Sequence, residues 1–359
     1  MDKQSQYPGE NPMHSRTKCG VPLQNIYFLL VTILVLSGCA TPTGAPAPTE
    51  TAVPADAHEH TDELPTLNAV SLDTGEKLRV VATTSIIADV VANVGGERIE
   101  LVDLIPPGSD PHGYVAAPED LRALSEAQVI FVNGLGLEET LASVLESPDG
   151  NALVITVNSG IEPLATAEGE AEHEGENEAE HHHEGVDPHT WLNVQNVLHW
   201  VENIEHSLST LDPANATAYA AAAQAYSTEL TALDAEVRAA AESIPAEQRK
   251  LVTDHDALGY FANTYGFVIV GALIPSFSTL AAPSAQELAA LQDQISSEGA
   301  KAIFVGASVN PALSDQIAND LGIPVVVIYP ESLSTADGPA TTYVDLMRYN
   351  INAIARALK

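Results

Sequence analysis

PANATAYAAAAQAYSTELTALDAEVRAAAESI, residues 213–244, decides how the chain is organised. The stretch is rich in Ala, Glu and Leu and has no Gly or Pro after its first residue. Ala gives up no side-chain entropy on entering a helix, so one long helix is predicted, with two helices broken near Thr228 as the alternative. About thirty residues at ~1.5 Å each span roughly 45 Å, enough to cross a whole domain. Such a helix is a stiff connector, and the sequence on either side of it shows what it connects.

Ahead of it, LRVVATTS (78–85), IELVDLI (99–105), AQVIFVNG (127–134) and ALVITVNS (152–159) read as buried strands, with SIIADVVANVGG (85–96) and PEDLRALSEA (118–127) as helices between them. Behind it the same grammar returns in KLVTD (250–254), FVIVGAL (267–273), AKAIFVGA (300–307) and IPVVVIY (323–329). Alternating strand and helix implies a mainly parallel sheet covered by helices. The expected fold is therefore α/β: an N-terminal lobe over 78–212, the linking helix over 213–244 and a C-terminal lobe over 245–359. A chain of 359 residues, 45% hydrophobic, can give two such lobes a buried core each.

The formal charge of −35, with only 14 Lys and Arg, excludes a nucleic-acid partner, whose phosphates need clustered cations. Acidity suits a protein that handles cations. The two cysteines, Cys19 and Cys39, both precede the globular part, so no disulfide framework is available to it. VPLQNIYFLLVTILVLSG (21–38) has the length of a signal-peptide core, with Arg16 and Lys18 as its positive flank. It ends in Leu36-Ser37-Gly38-Cys39, which resembles the lipobox of bacterial lipoproteins; a plain transmembrane anchor or a cleaved secretory peptide are the alternatives. On the lipobox reading, residues 1–38 are a lipoprotein signal peptide and Cys39 is the lipidated N-terminus of an extracytoplasmic protein. Residues 39–77, rich in Pro, Thr and Ala, then form a flexible tether, in which His58 and His60 are incidental.

In open α/β sheets ligands gather beyond the carboxyl ends of the strands. Pro106-Pro107-Gly108-Ser109-Asp110-Pro111-His112 follows the strand at 99–105, His255 follows 250–254, and Pro330-Glu331-Ser332 follows 323–329. His189 opens the helical segment HTWLNVQNVLHWVENIEHSL, and both it and His112 close the tripeptide Asp-Pro-His. Proline restricts the backbone ahead of each imidazole and so lowers the entropy lost on ordering a ligand. Any one of these histidines could be structural; together at crevice positions they point to a metal.

The motifs PGSDPHGYVAAPED, DPHTWLN, TDHDALGYFANTYGF and IYPES resemble those of the metal-specific solute-binding lipoproteins of bacterial ABC importers, which deliver zinc or manganese. The resemblance runs from about Leu78 to Lys359. It implies two lobes joined by one rigid helix, with a metal held in the cleft by His112 and His189 from the first lobe and His255 and Glu331 from the second. Many members have Asp where Glu331 stands, so coordination through one oxygen or two stays open, and many have Asp at the non-ligand position of Asn193. Three imidazoles and a carboxylate suit four-coordinate Zn²⁺ over Mn²⁺, which prefers more oxygen ligands; in manganese members a carboxylate usually replaces the third histidine. A zinc hydrolase is disfavoured, since four protein ligands leave no position for water and no His-Glu-x-x-His or Gly-x-Ser-x-Gly motif occurs. The resemblance implies a permease and its ATPase as partners for a monomeric, membrane-anchored binding protein, with a metal-binding adhesin as the other role open to the scaffold.

Between the lobe-1 strands and His189 lies an acidic segment, about Ala165 to Gly185, in which His173, His181, His182 and His183 are set among glutamates. Zinc members of the family often carry such a loop there. Tethered imidazoles beside the cleft would raise the local chance of metal capture; a solvated insert without function is the alternative.

Overall fold

The computed structural model describes residues 64–145, 152–164 and 186–359. Cys39 with its apolar leader, and His173, His181, His182 and His183, lie outside the described residues.

In the first lobe β1 (Leu78–Thr84), α1 (Ser85–Gly95), β2 (Ile99–Ile105), α2 (Pro118–Glu126), β3 (Val129–Val132), the short α3 (Ala142–Leu145) and β4 (Leu153–Thr156) are followed by α4 (Val194–Leu211). The linking helix is α5 (Ala216–Glu242). The second lobe runs β5 (Lys250–His255), α6 (Gly259–Tyr265), β6 (Val268–Ile274), α7 (Ala285–Glu298), β7 (Ile303–Gly306), α8 (Ala312–Leu321), β8 (Val325–Ile328) and α9 (Tyr343–Leu358). Every pairing is parallel, and the sheet orders β2-β1-β3-β4 and β6-β5-β7-β8 repeat one topology. All eight strands therefore present carboxyl ends at the edge of their own sheet where ligand loops emerge. The central strands β1 and β5 are buried along almost their whole length, as parallel strands covered on both faces must be.

The linking helix is continuous through Thr228, where propensity left room for a break. Its buried residues Tyr219, Ala223, Tyr226, Leu230, Leu233 and Val237 advance in steps of three and four, so one narrow stripe faces inward along the helix. That stripe packs on α1 and α4 of the first lobe and on α9 of the second. Twenty-seven residues at ~1.5 Å give a rod of about 40 Å.

The core differs from the expectation of one core per lobe. Each sheet does have a private outer layer: Val81, Leu104, Leu124 and Ile130 in the first lobe, and Val252, Leu291, Ile303 and Ile317 in the second. The opposite faces join one shared cluster that includes Ile87 and Val91, Trp200 and Ile204, Leu230 and Leu233, Leu251 and Phe261, and Met347 and Ile351. Alternation along each strand sends side chains to both faces, and the helices on the inner faces, α1 and α4 of the first lobe and α9 of the second, meet along the linking helix α5. Ordered packing also starts earlier than the tether boundary at residue 77. Residues 64–77 form no helix or strand, yet Leu64, Leu67, Val70 and Leu72 lie against the shared core, and the Val70 amide donates to the Leu211 carbonyl at 2.8 Å. Four apolar side chains spaced through a Pro- and Thr-containing stretch were outweighed by its composition.

A Thr228→Pro substitution tests the continuous connector. Thr228 is exposed at mid-helix, so the damage is to the backbone: a lost amide donor and a ring clash costing about 3 kcal/mol or more. Urea denaturation should show the midpoint falling for both lobes together, and an unchanged midpoint would mean that the helix is not under a shared constraint.

Candidate metal centre

His112 sits in the loop after β2, His189 in the loop between β4 and α4, His255 is the last residue of β5, and Glu331 follows β8. The structure brings all four together. One ligand atom from each lies within 4.8 Å of the others, and all four side chains are buried. The Nε2 atoms of His112 and His189 are 3.3 Å apart. Glu331 Oε1 is 3.0 Å from His255 Nε2 and 3.3 Å from His189 Nε2, and Oε2 is 3.4 Å from His112 Nε2. A tetrahedral ion with ~2.0–2.1 Å bonds has donor-to-donor edges of about 3.3 Å, close to these four separations. Both carboxylate oxygens face imidazoles, and Oε2 is a buried acceptor without a hydrogen bond, as expected of an atom reserved for a cation.

Two imidazoles are locked through their far nitrogen. Asp187 Oδ1 accepts from the His189 amide at 2.9 Å and contacts its Nδ1 at 2.8 Å. Asp254 Oδ1 does the same for His255, at 2.9 and 3.1 Å, while its Oδ2 accepts from the Gly306 amide at 2.8 Å. With Nδ1 donating to a carboxylate, Nε2 is left as the lone-pair donor, which is the usual outer support of a metal-bound histidine. The two Asp-Pro-His tripeptides are thus not equivalent. Asp110 accepts only from the His112 amide, at 3.0 Å, and its other oxygen accepts from Thr279 of the second lobe.

Beneath Asp187-Pro188-His189 lies a buried amide network. Asn133 Nδ2 donates to the Pro188 carbonyl at 3.0 Å, and Asn158 Oδ1 accepts from Thr190 at 2.7 Å and from Trp200 Nε1 at 2.6 Å. The buried carboxylate of Glu138 fixes the turn after β3 by accepting from the Asn133 and Gly134 amides and the Thr83 hydroxyl. Trp191 crosses between lobes: its ring stands edge-on to His189 at 5.4 Å, and its Nε1 donates to the carbonyl of Pro330, directly before Glu331, at 2.7 Å. A side chain at Gly259 of α6 would collide with Asp187 Oδ2, so glycine lets the second lobe close onto the support of His189. None of these supporting roles was read from the sequence, although Asp two residues before His189 and one before His255 was the available signal. Asn193 is no ligand: its side chain caps α4 by accepting from the Gln195 amide at 3.0 Å.

Without an ion the cluster holds its charge as protons. Burial alone would push the His189 imidazole down, but the Glu331 carboxylate and then Asp187 outweigh it and raise the group from 6.5 to about 9. His255 is raised for the same reasons, with burial opposed by Glu331 and Asp254. For Glu331 burial works upward, and the attraction of His189 and His255 carries the carboxyl well below its ordinary range.

The family profile described as zinc-uptake complex component A, periplasmic (ZnuA), matches residues 80–357. The manganese-binding lipoprotein MntA of Halalkalibacterium halodurans is 32% identical over 285 residues, covering 79% of this chain and 89% of that protein. The manganese ABC transporter substrate-binding lipoprotein PsaA of Streptococcus pneumoniae is 32% identical over 291 residues, covering 79% and 90%. Among solved structures, the periplasmic zinc binding protein TroA from Treponema pallidum superposes with a TM-score of 0.70 at 31% identity, covering 79% of this chain and 99% of that one. A Mn-bound periplasmic metal binding protein from candidatus Liberibacter asiaticus gives 0.68 at 28% identity, covering 79% and 100%.

The charge state of the cluster predicts a pH dependence. A histidine raised to about 9 stabilises the metal-free fold fully below its unfolded value of 6.5 and loses that contribution as pH rises through about 9. The depressed Glu331 contributes above its ordinary 4.5 and loses that only as pH falls through its lower folded value. The metal-free melting temperature should therefore decline between about pH 6.5 and 9, and saturating metal should flatten the decline by replacing the proton. At pH 7 uptake of an ion should release about one proton or more, read from the buffer dependence of the calorimetric heat; uptake with no proton release would refute this account.

Proposed function

The chain belongs to the family of periplasmic zinc-uptake complex component A proteins, and we propose that its own cargo is Zn²⁺, captured in the cleft between the lobes and surrendered to a permease. Membership makes it the metal-binding, substrate-binding component of an ABC importer, working with a permease and an ATPase, and a transport protein and not an enzyme. It binds a divalent metal. The ligands are His112, His189, His255 and Glu331.

One observation carries the choice of zinc: the cluster offers three buried imidazoles and a single carboxylate, with a ligand atom of each within 4.8 Å of the others. Zn²⁺ is content with four nitrogen and oxygen donors, whereas Mn²⁺ seeks about six, mostly oxygen. Manganese remains the second reading because the curated relatives MntA and PsaA are named for it. Purified protein offered equal zinc and manganese and then analysed for bound metal separates the two, with zinc expected in large excess and a manganese-loaded product sinking the zinc assignment. His189→Ala should weaken tight binding by more than about a hundredfold, since loss of even a supporting group costs ~10–100-fold. In the same titration, deletion of residues 168–185 should leave the tight site and remove weaker zinc equivalents held by His173, His181, His182 and His183. Equal stoichiometry with and without that segment would reduce it to a solvated insert.

The protein works outside the cytoplasm, held to the membrane through lipid on Cys39. The lipobox-like Leu36-Ser37-Gly38-Cys39 supports this reading, as do the lipoprotein names of MntA and PsaA. Mass spectrometry of detergent-extracted protein should find a diacylglycerol-modified Cys39 as the first residue; an unmodified Cys39 with the upstream segment intact would overturn the anchor.

A further inference from the structure

The loop 275–284, between β6 and α7, supplies no ligand, yet it touches both ligand loops of the opposite lobe. By sheet order it is the counterpart of the loop after β2 that carries His112. In the two sheets β2 and β6 occupy the same edge, and the last pairings, Thr84 with Ile105 and His255 with Ile274, correspond. One edge loop has become a ligand and its counterpart a cover. The Phe277 ring lies 6.5 Å from that of His189. Leu280 reaches over Gly113, where a Cβ would stand 3.3 Å from its Cδ2. The Thr279 hydroxyl donates to Asp110 Oδ2 at 2.6 Å, and Asp110 Oδ1 in turn holds the His112 amide at 3.0 Å. The foot of the loop is tied beside another ligand, through the Asp256 amide to the Ser276 carbonyl at 3.0 Å.

We propose that Thr279 is a positioning residue that holds the metal cleft shut, its hydroxyl fastening the cover loop of the second lobe to the carboxylate that orients His112. The Phe277 and Leu280 contacts are apolar and non-directional. The Thr279 bond is short, directional and made to a carboxylate oxygen, so it is the strong fastening of the three. Its partner is two residues from a ligand, so the same carboxylate that closes the cover also fixes the backbone of His112. Leu280 is 60% exposed, which puts solvent just outside the cover. Opening the cover and loosening His112 are then one event, and the rate of metal release is set by how often the Thr279 hydroxyl lets go.

This inference rests on the proposed metal site, and the experiment keeps the two apart. Full-length protein loaded with zinc is mixed in a stopped-flow instrument with excess chromogenic chelator. Thr279→Val, which keeps the shape and removes the donor, should release zinc about tenfold faster or more, as expected for loss of a hydrogen bond to a charged group. Its metal-free melting temperature should fall by only a few degrees, the effect of one hydrogen bond between loops outside the core. Thr279→Ser should restore slow release. Wild-type kinetics in Thr279→Val, or a serine variant as fast as the valine one, would overturn the proposal while leaving the site intact. A wild-type protein that holds no zinc against the chelator would remove the metal assignment and this inference with it.

Discussion

Glu331 is a carboxylate with 1% of its surface exposed, and the architecture turns on what keeps that charge compensated. An isolated buried carboxylate would cost several kcal/mol or would be forced to take up a proton. Here three imidazoles surround it, so its charge is met by protons on His189 and His255 when no cation is present and by the cation when one is. His255 shares the lobe of Glu331, but His112 and His189 belong to the opposite one, so the compensation is complete only while the lobes are closed. Closure and full charge balance therefore go together.

The rest of the fold can be understood as keeping that closure within narrow limits. The linking helix lays one apolar stripe against helices of both lobes, so a hinge would have to break a seam about seven turns long. The inner faces of both sheets share one core, and sliding one lobe would expose Leu230, Leu251 and Met347 to water at ~25 cal/mol per Å². Polar ties reinforce it near the site: Ser85 and Ser332 share a 3.1 Å contact, the Gly108 amide donates to the Leu333 carbonyl, and the Tyr343 hydroxyl donates to the carbonyl of Trp191.

The lobes, the linker and the four converging residues were legible in the sequence because each left a local mark. Ala-rich helical composition announced the linker, β-branched runs the strands, and His112, His255 and Glu331 came at or after strand ends, with His189 at a helix entry. The supports of the site were not legible, because they depend on pairings distant in sequence. Asn133 and Asn158 look like ordinary turn residues until the fold sets them under Pro188 and Thr190. Glu138 follows Gly134 and Gly136 in a loop, and nothing local says that its carboxylate is swallowed by three donors. The shared core was hidden for a similar reason: alternation reveals that a strand has two apolar faces, not which element will cover each.

The two Asp-Pro-His tripeptides show why the same words can do different work. Asp187 grips both the backbone and the ring of His189, and Asp254 grips both for His255, so these imidazoles have almost no freedom to turn away from the site. Asp110 holds His112 by its backbone amide and spends its second oxygen across the cleft on Thr279. The backbone of His112 is thus fixed within its own loop, while Asp110 holds the amide and not the ring. Of the three imidazoles, only that of His112 has its neighbouring aspartate shared with the opposite lobe, so it is the one most directly coupled to the cover loop.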